Sequence, residues 1–493
     1  MELEAAQRRL AEVEAELVAA NARAAAAEAR AAAAEARIVE LEKQVASLLE
    51  RLGRNSGNSN KPPSTDPPDV RGKRREKKGT KSGRKRGGQP GHKGSRRELV
   101  PPDQVDKVVD LFPSECENCF KPLPTTPDAS ARRYQSTELP ILRPHTTEFR
   151  QHGVVCPCCD YTTYGPYDQV PVSPFGPRLS SVVAVLTGVY HLSRRGAGAL
   201  LSDLLGVRVS LGAVSAIEAR VAEAVKPVVE EAWAKVGDAP VKHTDGTSWF
   251  KTGILCSLWT IATASATVFK IVANGKKATL QGLFKTTIGI LISDRATALN
   301  FWAMKRRQIC FAHLLRKFVA FSERGGRAGT IGRELLDYVG ILFAYWDEVK
   351  AGTRSRESFR DDMKPVRAAF EATLERAVSA GLAHVSGACA NILEHREALW
   401  TFVDHVDVEP TNNHAERELR AFVLWRKRSH GSQSDRGDVF AERLMTVAHT
   451  ARKQDKNVLA IVTACCIAAR EGTAAPSLFA AARVYALGGF CPH

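Results

Sequence analysis

The stretch Val241-Lys242-His243-Thr244-Asp245-Gly246-Thr247 decides how the rest of this chain is read. Residues 239–244 are strand-like and run into an aspartate. A β-rich run follows at 254–262 and 266–272, then a short helical pattern at 277–284. Gly289-Ile290-Leu291-Ile292-Ser293-Asp294-Arg295 gives a further apolar strand that also ends in an aspartate. Later, Asn412-Asn413-His414-Ala415-Glu416-Arg417 reads as the opening of a helix, with Asn412 and Asn413 as capping residues and a glutamate in the first turn. Two strand-end carboxylates and one helical carboxylate make a hard oxygen-ligand set, of the kind that holds a pair of Mg²⁺ or Mn²⁺ ions on a phosphodiester. A single strand-end Asp is usually a turn cap, and a Glu beside arginines is often only an ion pair. Three acids in this order point to catalysis.

The order β-β-β-α-β, with acids after the first and fourth strands, is that of the RNase H-like fold. Those two strands are neighbours there, so Asp245 and Asp294 are expected side by side. Close carboxylates repel, which raises one pKa unless a cation bridges them. Glu416 lies 122 residues beyond Asp294. The intervening 321–408 are almost entirely helical in pattern, which predicts an all-α insertion between two parts of a catalytic core, 238–320 and 409–493. Cys310-Phe311-Ala312-His313 places a Cys and a His on one helix face, with an orienting role near the acids. Arg316, Lys317, Arg417, Arg426 and Lys427 are candidate phosphate contacts.

The chain carries a net charge of +16, and residues 71–97 hold 13 Lys and Arg against the single acid Glu76. The other residues therefore carry only about +4, so the positive charge is local and suits a polyanion. Lys73, Arg74, Arg75, Lys77, Lys78, Lys81, Arg84, Lys85 and Arg86 are the candidate DNA contacts of this arm. Before it, 53–70 is rich in Asn, Ser, Gly and Pro and reads as linker, so 53–100 forms a disordered linker and basic arm.

Residues 1–52 show two heptad seams. One is Leu3, Leu10, Leu17, Ala24, Ala31, Ile38, Val45 and Leu52; the other is Ala6, Val13, Ala20, Ala27, Ala34, Leu41 and Leu48. All are apolar, which predicts a coiled coil and a homo-oligomer. Within 101–175, Cys116-Glu117-Asn118-Cys119 and Cys156-Pro157-Cys158-Cys159 read as two CxxC knuckles. Cys116, Cys119, Cys156 and Cys159 are expected to hold one structural Zn²⁺ in a small β-rich domain, with Cys158 the alternative fourth ligand and strand-like sequence at 139–155 between the knuckles. Residues 176–237 are helical, and 193–220 has the pattern of a helix-turn-helix. No run of 18 apolar residues and no signal peptide are evident, so a cytosolic protein without membrane partners is expected. The fold class is thus multidomain α+β.

Together these segments resemble the TnpC-type large transposases of the insertion-sequence-66 family, which are DDE transposases. The resemblance rests on Arg54-Asn55-Ser56 through Lys61-Pro62-Pro63-Ser64, Gly88-Gln89-Pro90-Gly91-His92, the paired CxxC, Thr244-Asp245-Gly246-Thr247, Cys310-Phe311-Ala312-His313 and Asn412-Asn413-His414-Ala415-Glu416-Arg417. It implies that Asp245, Asp294 and Glu416 are the catalytic acids and that transposon ends and target DNA are the substrates. It also implies a bacterial, nucleoid-associated setting and small accessory transposition proteins. Many members have Gly-Tyr after the second Asp and an acid after the first; here Arg295-Ala296 and Gly246 stand there. Two other readings predict different chemistry: an inactive zinc-containing DNA-binding protein, or an RNase H-like nuclease that never joins strands.

Overall fold

Alanine, glutamate, arginine and leucine fill the first 52 positions with no proline, and they form one helix, α1 (Glu2–Gly53). In the computed structural model, residues 2–59, 66, 98–128, 130–168 and 170–480 are described; the basic arm at 71–97 lies outside them. At 1.5 Å per residue α1 is roughly 80 Å long. Among the described residues its seams are uncovered: Leu10 and Leu17 are each 61% exposed and Leu52 is 77% exposed.

The cysteine-rich region has little regular structure. Its strands are β1 (Gly153–Val155) and β2 (Thr162–Tyr164), an antiparallel hairpin around the second CxxC. Of the span 139–155, where the sequence predicts a β-like stretch, the last three residues form β1. Pro140 and Pro144 interrupt the stretch and lack the N–H that a ladder needs.

Four helices follow: α2 (Pro177–Gly188), α3 (Arg194–Leu205), α4 (Leu211–Ala224) and α5 (Lys226–Asp238). The helical hairpin read at 193–220 is present. Ser193 Oγ accepts from Gly196 N at 3.0 Å and Ser210 Oγ from Ala213 N at 3.2 Å, and Gly206, at φ 66°, closes α3 in the left-handed region. Val214, Ile217 and Val221 of α4 are buried, so this helix spends one face on packing.

The central sheet comprises β3 (Val241–Lys251), β4 (Ile254–Ala262), β5 (Thr267–Val272), β6 (Ile290–Ser293) and β7 (Arg307–Ile309), with α6 (Lys277–Leu283) between β5 and β6. Its order is β5-β4-β3-β6-β7. β3, β4 and β5 are antiparallel neighbours; β6 and β7 run parallel to β3. Two features differ from the sequence reading. β3 does not stop before Asp245 but continues to Lys251, because β4 pairs with it from His243↔Ala262 to Lys251↔Ile254. Thr252 (φ 49°) and Gly253 (φ 80°) form the two-residue turn that this hairpin requires. β7 was not anticipated; it is three residues long and fully buried. The β5 edge is closed by side chains rather than by another strand. Thr267 N donates to Thr450 Oγ1 at 3.1 Å, Phe269 N to Thr446 Oγ1 at 3.2 Å and Ile271 N to Glu442 Oε1 at 2.6 Å.

After β7 come α7 (Phe311–Ser322), α8 (Gly326–Ala351), α9 (Arg356–Ser379) and α10 (Ser386–Leu393). Two short helical turns lead to α11 (Asn413–Ser429), α12 (Asp435–Lys453) and α13 (Val458–Glu471). The helical stretch between Asp294 and Glu416 is therefore present. Its aromatic core, with Phe318, Trp346, Phe359 and Phe370, is continuous with Ile292 and Ile309 of the sheet. A second core joins the sheet to α2, α4, α5, α12 and α13. A third packs Trp249 and Phe269 against Phe422 of α11. Among the described residues no helix is long and apolar enough to cross a membrane.

Candidate active site

Register brings the two aspartates together. His243 of β3 pairs with Ile292 of β6 in the parallel ladder, and Asp245 and Asp294 each lie two residues further on. Residues two apart on a strand share a face, and neighbouring strands are about 4.8 Å apart. β6 ends at Ser293 while β3 continues against β4, so the sheet opens at this point. Asp245 Oδ1 accepts from Gly246 N at 2.9 Å, and Asp294 Oδ1 from Ala296 N at 3.0 Å. Gly246 has a steric reason to be glycine: a Cβ there would lie 2.7 Å from the Trp259 ring.

Arg307, which sequence reasoning passed over, fixes the Asp294 loop from beneath. Its fully buried guanidinium donates to Asp294 O at 2.8 Å, Asn300 Oδ1 at 2.9 Å, Ser293 Oγ at 3.1 Å and Ala296 O at 3.3 Å.

Glu416 sits in the first turn of α11. Asn412 is the N-cap residue, but its side chain caps nothing. It is buried and ties the helix to β3: Nδ2 donates to Thr244 O at 2.7 Å, and Oδ1 lies 3.3 Å from His243 Nδ1. Its backbone N donates to Cys310 Sγ at 3.1 Å. The cap expected from the sequence is thus a cross-brace, because the helix start is buried against the sheet and the carboxamide finds partners there. Two residues on, Glu418 accepts from His449 and lies 3.1 Å from Lys453 Nζ and 3.5 Å from His414 Nε2. Burial pushes its carboxyl up, but hydrogen bonds from His414 and His449 and the Lys453 charge outweigh that and hold it well below the usual carboxylate range.

The acids share one electrostatic environment. Burial, then the charge of Asp294 and to a smaller degree that of Glu416, raise the Asp245 pKa to about 7. Cys310 caps α7 and is fully buried; burial pushes its thiol up to about 11. Burial also lowers the pKa of His313, against the pull of Glu416. His313 Nδ1 and Arg316 Nη2 each lie 3.6 Å from Glu416 oxygens. Ligand atoms of Cys310, His313 and Glu416 lie within 4.8 Å of one another, the one such group of three or more among the described residues. The three carboxylates are not drawn to that distance; Asp294 and His313 line a cleft of about 650 Å³. His313 Nδ1 and Glu416 Oε1 are buried with no hydrogen-bond partner, two orphaned polar atoms of the sort that a cation or its water would satisfy.

The other candidates are distributed. Lys317 lines the opening and stacks on Phe321 at 5.8 Å. Arg426 is turned onto β3, where it donates to Thr247 Oγ1 at 3.2 Å and to Ser248; it holds α11 on the sheet. Arg417 and Lys427 are exposed on α11. Lys73, Arg74, Arg75, Lys77, Lys78, Lys81, Arg84, Lys85 and Arg86 lie outside the described residues.

The two CxxC segments have one local geometry. Cys116 N donates to Lys121 O at 3.0 Å and Phe120 N to Cys116 O at 2.9 Å; Cys156 N donates to Tyr161 O and Asp160 N to Cys156 O, both at 2.9 Å. Phe120 and Asp160 occupy the same left-handed backbone region, at φ 57° and 58°. N–H groups of Cys119 and Asn118 lower the Cys116 pKa, and those of Cys158 and Cys159 lower that of Cys156. In each knuckle backbone N–H groups thus favour ionisation of the first cysteine. Cys159, not Cys158, approaches the Cys156 side chain as Cys119 approaches Cys116. The two knuckles' thiols are not gathered within 4.8 Å of one another.

The mixed sheet thus carries Asp245 and Asp294 at equal register, with Glu416, His313 and Arg316 beside them. The family described as "Transposase IS66 family" matches residues 172–439, more than half of the chain and all of this site. The chain belongs to that family. Residues 4–98 match a family of unknown function, DUF6444. No curated protein matches the chain. The family carries with it DNA as the partner and divalent-metal chemistry.

Proposed function

We propose that this chain is a DNA transposase that cuts and joins phosphodiesters at Asp245, Asp294 and Glu416 on an RNase H-like sheet. The observation that carries the reading is the equal register of Asp245 and Asp294 on neighbouring parallel strands, with Glu416 acting on the same carboxylate. The strand order, with three antiparallel strands followed by two parallel ones, supports the fold.

The donor set suits Mg²⁺ or Mn²⁺. Carboxylate oxygens are hard ligands, Asp245 resists ionisation while no cation offsets its neighbours, and Glu416 Oε1 is orphaned. Asp245 lies in the field of both other acids, and the three carboxylates would hold the ions. Bound there, two divalent ions supply Lewis-acid stabilisation of the attacking and departing oxygens. Arg316 and Lys317 offset phosphate charge, and Asn412 and Arg307 hold Glu416 and Asp294 in place. Water attacks phosphorus at the element end as the P–O3′ bond breaks, leaving a 3′-hydroxyl. That hydroxyl then attacks a target phosphodiester, so one P–O bond forms as another breaks and no protein–DNA bond is needed.

Cys116, Cys119, Cys156 and Cys159 hold a structural Zn²⁺ in this reading, since both knuckles already aim N–H groups at their thiolates. The uncovered seams of α1 pair copies of the chain, and the arm at 71–97 binds DNA nonspecifically. The test is metal-dependent nicking and strand transfer on terminal-repeat DNA. Asp245→Asn abolishes both while retaining DNA binding. Nicking that persists in this variant removes the catalytic assignment, and cutting without joining reduces the protein to a nuclease.

A further inference from the structure

The turn Arg54-Asn55-Ser56-Gly57-Asn58-Ser59 ends α1 and takes no part in the chemistry above. Its carboxamides organise it. Asn58 Oδ1 accepts from Asn55 N at 2.7 Å, Asn55 Oδ1 accepts from Gly57 N at 2.8 Å, and Asn58 Nδ2 donates to Gly53 O at 3.0 Å, satisfying a terminal carbonyl of the helix. Ser56 donates through both N and Oγ to the Asp66 carboxylate, each at 2.6 Å, and both residues are buried.

The turn is also pinned far away in sequence. Asn58 Nδ2 donates to Glu323 Oε2 at 2.8 Å, across 265 residues; Glu323 is the C-cap residue of α7, the helix that carries His313 and Arg316. Arg54, Asn58 and Ser59 thereby line a cleft of about 650 Å³ that also contains Asp294 and His313. That volume falls in the about 300–1,000 Å³ range that encloses a drug-sized ligand. Arg54, Arg295, Lys317 and Arg324 line it against the acids Asp294 and Glu323. The excess of cations over acids suits a polyanion with many acceptor oxygens.

We propose that the 54–59 turn is a wall of the DNA channel: Asn58 on Glu323 pins it to α7, and the pinned turn sets the Arg54 charge beside the phosphodiester backbone of the strand that reaches Asp294. This rests on the reading of the site as a DNA-cutting centre. It gives α1 a direct mechanical link to that centre.

The experiment uses the full chain and a fluorescent duplex with a single-stranded 3′ overhang. A benzophenone amino acid replacing Ser59 crosslinks to the overhang strand near the junction. Arg54→Ala lowers the slope of log affinity against log salt by about 1. Asn58→Ala and Glu323→Ala each weaken binding about threefold to tenfold. Glu323→Gln, which keeps an acceptor for Asn58, binds at least as well as wild type. If Glu323 were only a negative charge near DNA, Glu323→Ala would bind more tightly; that outcome, or crosslinks remote from the junction, overturns the wall. Crosslinking at the junction without any metal-dependent cleavage leaves the wall standing and removes the enzymatic reading. Cleavage without crosslinking does the reverse.

Discussion

Replacing Asp245 by Asn is expected to stabilise the metal-free fold, by an amount that depends on pH. The folded pKa is about 7 against an ordinary 3.8. Between those values the folded state holds a proton that the unfolded chain has released. The associated stability is present in full below about pH 4 and is lost as pH rises through about 7. Linkage over that span gives a cost of about 2 kcal/mol at pH 5, growing to about 4 kcal/mol at pH 7 and level beyond about pH 8. These are upper bounds, since partial exposure lets water screen the charge. Asn keeps the acceptor for Gly246 N and carries no charge. The advantage of the variant over wild type should therefore grow by about 2 kcal/mol between pH 5 and pH 7 in urea titrations with chelator present. Millimolar Mg²⁺ should remove most of that advantage, because it stabilises the ionised wild-type site. A difference that stays flat from pH 5 to pH 8, or a variant less stable than wild type throughout, refutes the argument that buried like charges meet here.

Arg307→Met should cost about 2–4 kcal/mol, because it strips one buried and three part-buried acceptors of their donor; urea denaturation at constant pH checks this, and a loss below about 1 kcal/mol would show that the loop repacks or hydrates. One zinc per chain should be found by mass spectrometry under native conditions. It should survive Cys158→Ser and be lost in Cys159→Ser, and the opposite pattern would reassign the fourth ligand. Deleting residues 1–52 should lower the molar mass seen by light scattering while leaving the core folded, whereas an unchanged mass would exclude α1 from self-association.

Local chemistry made much of this architecture readable. The helical hairpin at 193–220 was readable, and Ser193 and Ser210 start its helices because a hydroxyl at that position satisfies an otherwise unpaired N–H. The heptads of α1 and the apolar run of β6 announced their own periods. The Thr252-Gly253 pair between two strand-like runs was a usable hairpin signal, and it explains why β3 extends through Asp245. Arg307 gave no warning: it follows Arg306 in a basic stretch, and only the closure of β7 against β6 buries it. Asn412 looked like a cap because capping depends on neighbours in sequence; its actual partners, Thr244 and His243, lie about 170 residues away.

The sequence alone determined which residues could act: three acids in order, two CxxC knuckles, a local basic charge and a helix with two apolar seams. Side-chain chemistry and short-range periodicity are written residue by residue, so these needed no coordinates. Tertiary structure decided which of them meet. The β3–β6 register set Asp245 beside Asp294, Asn412 drew Glu416 toward both, and Asn58 carried the end of α1 to the same cleft. Those placements depend on contacts spanning about 50 to 265 residues, and no local pattern encodes them.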